Sequence, residues 1–486
     1  MDVRVDPGAT IPPVAPVVAG LNGAQRTMYS VKGLDRDARV AHTKALFLVP
    51  RTHSTRSARG ARGAPVENGF SAAVERPGGV LAVPRFYGTR HFGPPVRDLS
   101  TPGEAAPGIA FAGALKPYQT DTVEACHTAL VRGQGCMLCA GCGTGKTVMA
   151  ISLAARLGRC CAVLVHKQFL AAQWAERIRE FAPTARVALV QGAEPWDHEC
   201  DVLICMIQTV LSRYPAPTNA FDGVGLLVVD ECHHLVARTF SRAILSFPAR
   251  YRLGLTATPD RQDGLGFALQ WHLGPIVVRV KRRNMRVGVV WLTGDAGLRA
   301  VRDRRGETVH AATVSRLVES EGRNQRILRC IAAGLRAGRH IIVISARRKH
   351  LEALCAAATV LPGADPALYL GETSPRRKRE RDARAQVANP LCATYGMGEE
   401  ALDIPRLDML VLASPRGSAA CIEQCVGRIL RPFDGKPTPV VVDFTDGVCA
   451  SMATARRRLY KREGFMTITG GSPDLGDCVF FSRPTT

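Results

Sequence analysis

The chain has no uninterrupted apolar stretch of the roughly 18 residues that a membrane-spanning helix needs, so no membrane association is expected. Met1 to Pro16 carry Asp2, Asp6 and four prolines where a secretory leader would place a basic segment and then an apolar one. The expected setting is therefore intracellular. Acidic residues are scarce. With 42 Asp+Glu against 64 Lys+Arg, the net charge of +22 favours a polyanionic partner. Paired zinc-type spacing is missing among the 16 cysteines. Cys136-x-x-Cys139-x-x-Cys142 imitates the opening of an iron–sulfur run, but Lys146 stands where the fourth ligand would be. Cys160-Cys161 and Cys421-x-x-x-Cys425 fall in apolar segments and read as buried, reduced thiols.

What is present points to nucleoside-triphosphate hydrolysis. Ala140-Gly141-Cys142-Gly143-Thr144-Gly145-Lys146-Thr147 lies between an apolar strand, Cys136 to Cys139, and a helical stretch from Val148 to Leu157. Gly143 and Gly145 allow a tight loop whose N–H groups face phosphate oxygens at a helix N-terminus. Lys146 would reach the outer phosphates and Thr147 would hold Mg²⁺. Ala140 stands where the strict pattern has glycine, and the glycines nearest the lysine remain. Downstream, Asp230-Glu231-Cys232-His233 follows the apolar run Leu226-Leu227-Val228-Val229. Asp230 would emerge at the carboxyl edge of a parallel sheet to position Mg²⁺, and Glu231 would orient or deprotonate the attacking water.

At 486 residues the chain suggests two or three domains. Residues 1–108 read as an accessory N-terminal domain with a basic low-complexity insertion, the Arg-Ser-Gly tract from Arg51 to Gly63. Strands are expected at Ala45 to Pro50 and Val80 to Tyr87. From residue 109, short apolar runs alternate with amphipathic stretches: Cys160 to Val165, Val187 to Val190, Val202 to Met206, Leu226 to Val229 and Tyr251 to Leu255. A second series runs through Ile341 to Ile344, Ala367 to Leu370, Leu391 to Thr394, Met409 to Ala413 and Val440 to Phe444. Strands alternating with helices imply parallel sheets covered on both faces, and hence two α/β lobes. The expected divisions are 109–280 for the first lobe, 281–325 for a linker, 326–450 for the second lobe and 451–486 for a basic helix and tail. That helix is expected over Ala453 to Phe465, ending at Gly464, with a disordered Gly/Ser/Pro-rich tail after it.

In the second lobe, Gln424-Cys425-Val426-Gly427-Arg428-Ile429-Leu430-Arg431 places two arginines three residues apart, on one face if the segment is helical. Such a pair can reach across a cleft to charge developing on a γ-phosphoryl group.

These segments resemble the motifs of superfamily 2 helicases. Asp230 to His233, Thr256-Ala257-Thr258-Pro259 and Gln424 to Arg431 are similar to motifs II, III and VI. Leu115-Lys116-Pro117-Tyr118-Gln119 resembles the adenine-contacting segment. Val165-His166-Lys167 with Gln173-Trp174 resembles motif Ia, and Gln208-Thr209 a later strand-contacting element. Ile344-Ser345-Ala346-Arg347 resembles motif IV, and Ala393-Thr394-Tyr395 through Ala401-Leu402-Asp403-Ile404-Pro405 resembles motif V. The wording is nearest the XPB-like branch, with the helicases of large DNA viruses and phage recombination helicases, although Arg261-Gln262-Asp263 departs from Arg-Glu-Asp and Ala401 from glycine.

The resemblance implies two tandem RecA-like lobes in an α/β protein with a small N-terminal accessory domain. It implies ATP and Mg²⁺ as cofactors and 3′ to 5′ movement. Gln119 would sit at the base and Asp403 at the ribose. Gln424, Arg428 and Arg431 would face the γ-phosphate, and Thr256 and Thr258 would couple the lobes. His166, Lys167, Gln208, Thr209, Ser345 and Thr394 would touch a nucleic-acid strand.

Contacts of that kind position phosphates without reading bases. Basic runs at Arg376 to Arg379 and Arg456 to Arg462 would add counterion-release affinity. The expected partner is nucleic acid, DNA ahead of RNA, together with replication or transcription proteins, for a monomer working in a host nucleus, cytoplasm or virion if viral. Two further readings stay open: a duplex DNA translocase that remodels a complex without unwinding, and a nucleic-acid-binding structural protein with an inactive motor. Intact Lys146, Thr147, Asp230, Glu231, Arg428 and Arg431 argue against the last. A nuclease-coupled motor would need an acidic metal-binding domain, for which the remaining residues leave no room.

Overall fold

The computed structural model describes residues 2–5, 26–49, 69–141, 143–192, 199–233, 238–257, 265–281, 286–294, 297–304, 306–372, 374–400 and 402–469. The Arg51 to Gly63 tract, Cys142, Thr258, Arg261 to Asp263, Ala401 and residues 470–486 lie outside them. Two compact units divide the chain, Met1–Arg283 and Asn284–Thr486.

The first unit is built on an eight-stranded sheet in the order Asp2–Val5, Ile276–Lys281, Cys136–Ala140, Tyr251–Thr256, Leu226–Val229, Cys161–Val165, Val202–Met206 and Val187–Val190. Seven strands run parallel, and only Asp2–Val5 is antiparallel, on the edge. Helices cover both faces of such a sheet, which is why its inner strands are mostly apolar. Cys136–Ala140, Cys161–Val165 and Leu226–Val229 are buried at every residue.

The second unit repeats the plan with seven parallel strands: Ala367–Tyr369, Leu391–Thr394, Ile341–Ser345, Met409–Leu412, Val440–Thr445, Gly288–Thr293 and Met466–Thr469. The expected pair of RecA-like lobes with a smaller N-terminal sheet region is what the chain forms. That small region is the antiparallel set Met28–Val31, Val80–Pro84 and Val74–Arg76, with Phe47–Leu48 against Phe70–Ser71. After Pro84 the chain turns helical, Arg85–Phe92, where a continued strand was expected.

Two strands arise in or beside the 281–325 stretch expected as a linker. Ile276–Lys281 ends the parallel run of the first sheet, and Gly288–Thr293, buried along its first five residues, lies between Val440–Thr445 and Met466–Thr469 in the second. The terminal helix is Ala450–Glu463, stopped by Gly464 at φ +70°. The chain then adds Met466–Thr469 as an edge strand, which corrects the expectation that a tail begins there.

The small N-terminal sheet is tied to the first unit's main sheet by buried arginines. Arg252, inside the Tyr251–Thr256 strand, is fully enclosed and donates to the carbonyls of His272, Thr27 and Phe247. His272 lies in the last turn of the Ala268–Leu273 helix, where carbonyls carry partial negative charge. Burial pulls the Arg252 guanidinium down to about 9, so three carbonyls compensate a costly site only in part. Arg85 bonds the Ala249 and Arg250 carbonyls and Ser100 Oγ from the same side.

Candidate functional site

The phosphate-type loop leaves the carboxyl end of Cys136–Ala140 and enters the Lys146–Leu157 helix. Gly143 (φ +75°) and Gly145 (φ +83°) hold left-handed backbone that other residues avoid. Gly145 has a second reason to be glycine, since a Cβ there would lie 2.4 Å from Gln119 Nε2. Gln119 is near because the Pro117–Val131 helix opens beside the loop, with proline in its first turn and Gln119 Oε1 accepting the Lys116 N–H at 2.9 Å. Gln119 Nε2 and Tyr118 Oη both donate to the Thr144 carbonyl, at 3.0 and 2.9 Å. The residue expected at the base thus also braces the loop. Lys146 Nζ donates to the Ala140 carbonyl at 2.9 Å, folded back over the loop.

Two strands away, Asp230 and Glu231 emerge from Leu226–Val229 at the same sheet edge. Asp230 Oδ1 accepts the Glu231 N–H at 2.9 Å and Oδ2 accepts the indole N–H of Trp174 at 2.8 Å. Burial, and then the neighbouring Glu231 charge, push the Asp230 carboxyl up to about 6, while the Trp174 hydrogen bond and the Lys146 charge pull the other way. Lys146 and Asp230 therefore feel one another. Glu231 has φ +46°, alone among the described non-glycine residues in having positive φ, a strain of the kind that collects at working sites. Its Oε2 is buried with no hydrogen-bond donor, 3.3 Å from His233 Nδ1 in an ion-pair contact. Cys232 is fully buried, and Gly254 on the adjacent strand leaves the room it occupies.

His166 and Lys167 follow Cys161–Val165, and Gln208 and Thr209 open the Ile207–Arg213 helix after Val202–Met206. Val165 and Met206 pair in register, which brings the two elements side by side. Gln208 Nε2 donates to the His166 carbonyl at 3.2 Å, and Thr209 Oγ1 accepts the Gly192 N–H at 3.2 Å. Thr256 ends its strand with Oγ1 3.2 Å from His233 Nδ1. Thr258 lies outside the described residues.

In the second unit the arginines part company. The helix is Ala419–Ile429, so Arg428 is helical while Arg431 lies beyond its end and the two share no helix face, contrary to expectation. Arg428 donates to the carbonyls of Gly398 and Leu402, at 3.0 and 2.9 Å, and to that of Glu399. Its fork is occupied with the backbone of the segment that resembles motif V. Arg431 pairs with Asp403, which brings two expected site residues together. Gln424 is buried on the same helix as Arg428.

Ser345 and Thr394 are register partners on adjacent strands. The Ser345 hydroxyl is fully buried, 2.9 Å from His350 Nδ1, and accepts the Arg347 N–H at 3.3 Å. It organises the start of the Arg348–Ala358 helix rather than facing a strand, which corrects its expected role. Arg456 likewise leaves the basic run: it is buried in a double hydrogen bond to Asp443, with Tyr460 on the same carboxylate. The described cysteines are free thiols, all buried except the half-buried Cys355. No group of three or more His, Cys, Asp or Glu side chains among the described residues could hold a metal.

Trp174 is the residue whose role sequence reasoning missed. The sequence marks it as part of the segment resembling motif Ia and as a tryptophan on the apolar face of the Gln168–Phe181 helix, without giving its partner. A buried tryptophan must place its N–H, but spacing does not say on what.

The family model for the type III restriction enzyme, res subunit, matches residues 113–261. A candidate ATP-dependent RNA helicase of Acanthamoeba polyphaga mimivirus is 27% identical over 78% of this chain and 73% of its own length. A probable helicase of Escherichia phage T5 is 26% identical over 67% of this chain and 72% of its own. The chain carries a superfamily 2 helicase domain related to those of viral and phage helicases. It is an enzyme of the ATP-hydrolysing helicase class, driving a helicase or translocase activity on nucleic acid. Among solved structures, Saccharomyces cerevisiae Dbp5 bound to RNA and ADP BeF3 matches with a TM-score of 0.52 at 13% identity, covering 75% of this chain and 95% of that one.

The expected preference for DNA over RNA is corrected by these matches: Dbp5 is held on RNA, and the mimiviral relative is named for RNA. Net positive charge and phosphate contacts are indifferent to the sugar, so they never supported a choice of DNA. No helix among the described residues is long and apolar enough to cross a membrane.

Proposed function

We propose that this helicase domain moves along RNA, with Mg²⁺-ATP bound at the sheet edge where Lys146, Thr147, Asp230 and Glu231 lie. The observation that carries the reading is the convergence of Asp230, Glu231 and the lysine-bearing loop on that edge, where Asp230 senses the Lys146 charge. Lys146 meets the outer phosphates, and Gly143 and Gly145 turn backbone N–H groups toward them.

The donor set suits a hard cation. A carboxylate and a hydroxyl, Asp230 and Thr147, are what Mg²⁺ takes beside phosphate oxygens. The cation, when bound, neutralises charge on the phosphates. Glu231 Oε2, buried without a donor, suits an attacking water that it orients and deprotonates. Gln119 takes the base. In the second unit, Arg428 acts by holding the backbone of Gly398, Glu399 and Leu402. His166, Lys167, Gln208, Thr209 and Thr394 take strand phosphates, and Thr256 and Thr258 link hydrolysis to movement. The branch that fits the wording of these motifs is the XPB-like one.

The test is the steady-state ATPase rate at fixed low salt with RNA, single-stranded DNA and duplex DNA, beside Lys146→Ala. Stimulation by RNA, lost in Lys146→Ala while RNA binding survives, supports the proposal. Stimulation by DNA alone overturns the choice of RNA, and turnover that persists in Lys146→Ala overturns the cradle.

A further inference from the structure

Trp174 sits about two turns into the Gln168–Phe181 helix. Its ring is 2% exposed, and its indole N–H donates to Asp230 Oδ2 at 2.8 Å. With the Glu231 N–H on Oδ1 and the Asp230 N–H on the Leu164 carbonyl, the carboxylate is fixed in rotation and keeps lone pairs free on both oxygens. An indole N–H is a donor only, so it orients a carboxylate without competing for a cation. The same helix is headed by Lys167, beside His166, whose carbonyl Gln208 holds. One rigid element thus runs from the proposed strand-contacting loop to the proposed metal carboxylate.

We infer that Trp174 is a positioning residue that fixes Asp230 for the divalent cation and joins it to the helix headed by the His166–Lys167 loop. The inference rests on the ATPase reading above. Phosphate contacts at His166 and Lys167 bias the helix, and the indole carries that bias to the carboxylate.

The experiment uses the full chain and Trp174→Phe, which keeps the ring's bulk and removes the donor. Mn²⁺ binding in the presence of a non-hydrolysable ATP analogue is followed by electron paramagnetic resonance, and ATP turnover is measured with and without RNA. Loss of an orienting partner should weaken Mn²⁺ binding by about tenfold. The same variant should lower kcat, shrink RNA stimulation and leave the KM for ATP within about twofold. Unchanged Mn²⁺ affinity with unchanged stimulation overturns the inference. If the wild-type chain itself neither binds Mn²⁺-nucleotide nor turns over ATP, the ATPase reading has failed instead. Should Trp174→Phe not fold, the indole N–H resonances of the ¹⁵N-labelled wild-type chain decide. One of them moves on adding Mg²⁺ and nucleotide, and a set that stays still overturns the inference.

Discussion

His233 Nδ1 lies 3.2 Å from Thr256 Oγ1, joining the ends of two neighbouring parallel strands one side chain away from Glu231. A change at Glu231 can therefore reach Thr256 without passing through solvent. Thr256→Val keeps the volume and removes the hydroxyl. If that contact couples hydrolysis to movement, the variant keeps RNA-stimulated turnover within about threefold while strand displacement falls by about tenfold. A displacement assay run beside ATPase measurements checks this. An equal fall in both would place Thr256 in the chemical step.

Arg428 and Arg431 are three residues apart and should fail in different ways. Arg428 spends its fork on three backbone carbonyls, so Arg428→Ala should cost about 2 kcal/mol of stability and lower the unfolding midpoint. Arg431 makes an ion pair with the part-exposed Asp403, and such a pair adds little to stability. Arg431→Ala should leave the midpoint nearly unchanged and reduce kcat far more than ATP affinity. Thermal unfolding and steady-state kinetics on both variants separate the two roles.

The lobes were legible because buried parallel strands are mostly apolar, and ten apolar-rich runs alternate with helices. The phosphate loop was legible because Gly143 and Gly145 must adopt positive φ. What sequence could not give was where polar side chains find partners across the fold. Trp174 and Asp230 are 56 residues apart and Arg252 and Thr27 are 225 apart, and no spacing rule links them. Ser345 and Arg456 were misjudged for the same reason. A hydroxyl after a strand and an arginine in a basic run look exposed until His350 and Asp443 are seen to hold them.

Glu231→Gln keeps shape and removes the base. The near-isosteric substitution should leave the fold intact, with ATP affinity within about threefold and turnover down by about a hundredfold or more. Equilibrium nucleotide binding and single-turnover hydrolysis measure the two effects. Unchanged turnover would remove Glu231 from the water-activating role.

His350 makes the second unit sensitive to acid. Its ring is buried between Ser345 and Asn324, and burial together with the nearby Arg323 charge pushes it down from 6.5 to about 4. Between those values the unfolded chain binds a proton that the folded chain refuses, so stability rises with pH across the window and is lost as pH falls through it. The full contribution is at most about 3 kcal/mol, present above pH 6.5 and gone below about pH 4. His350→Gln, which can still bond its neighbours but cannot titrate, should flatten that part of the profile. Thermal unfolding midpoints of both proteins from pH 4 to pH 7.5 test it, and parallel profiles would mean that other groups carry the acid sensitivity.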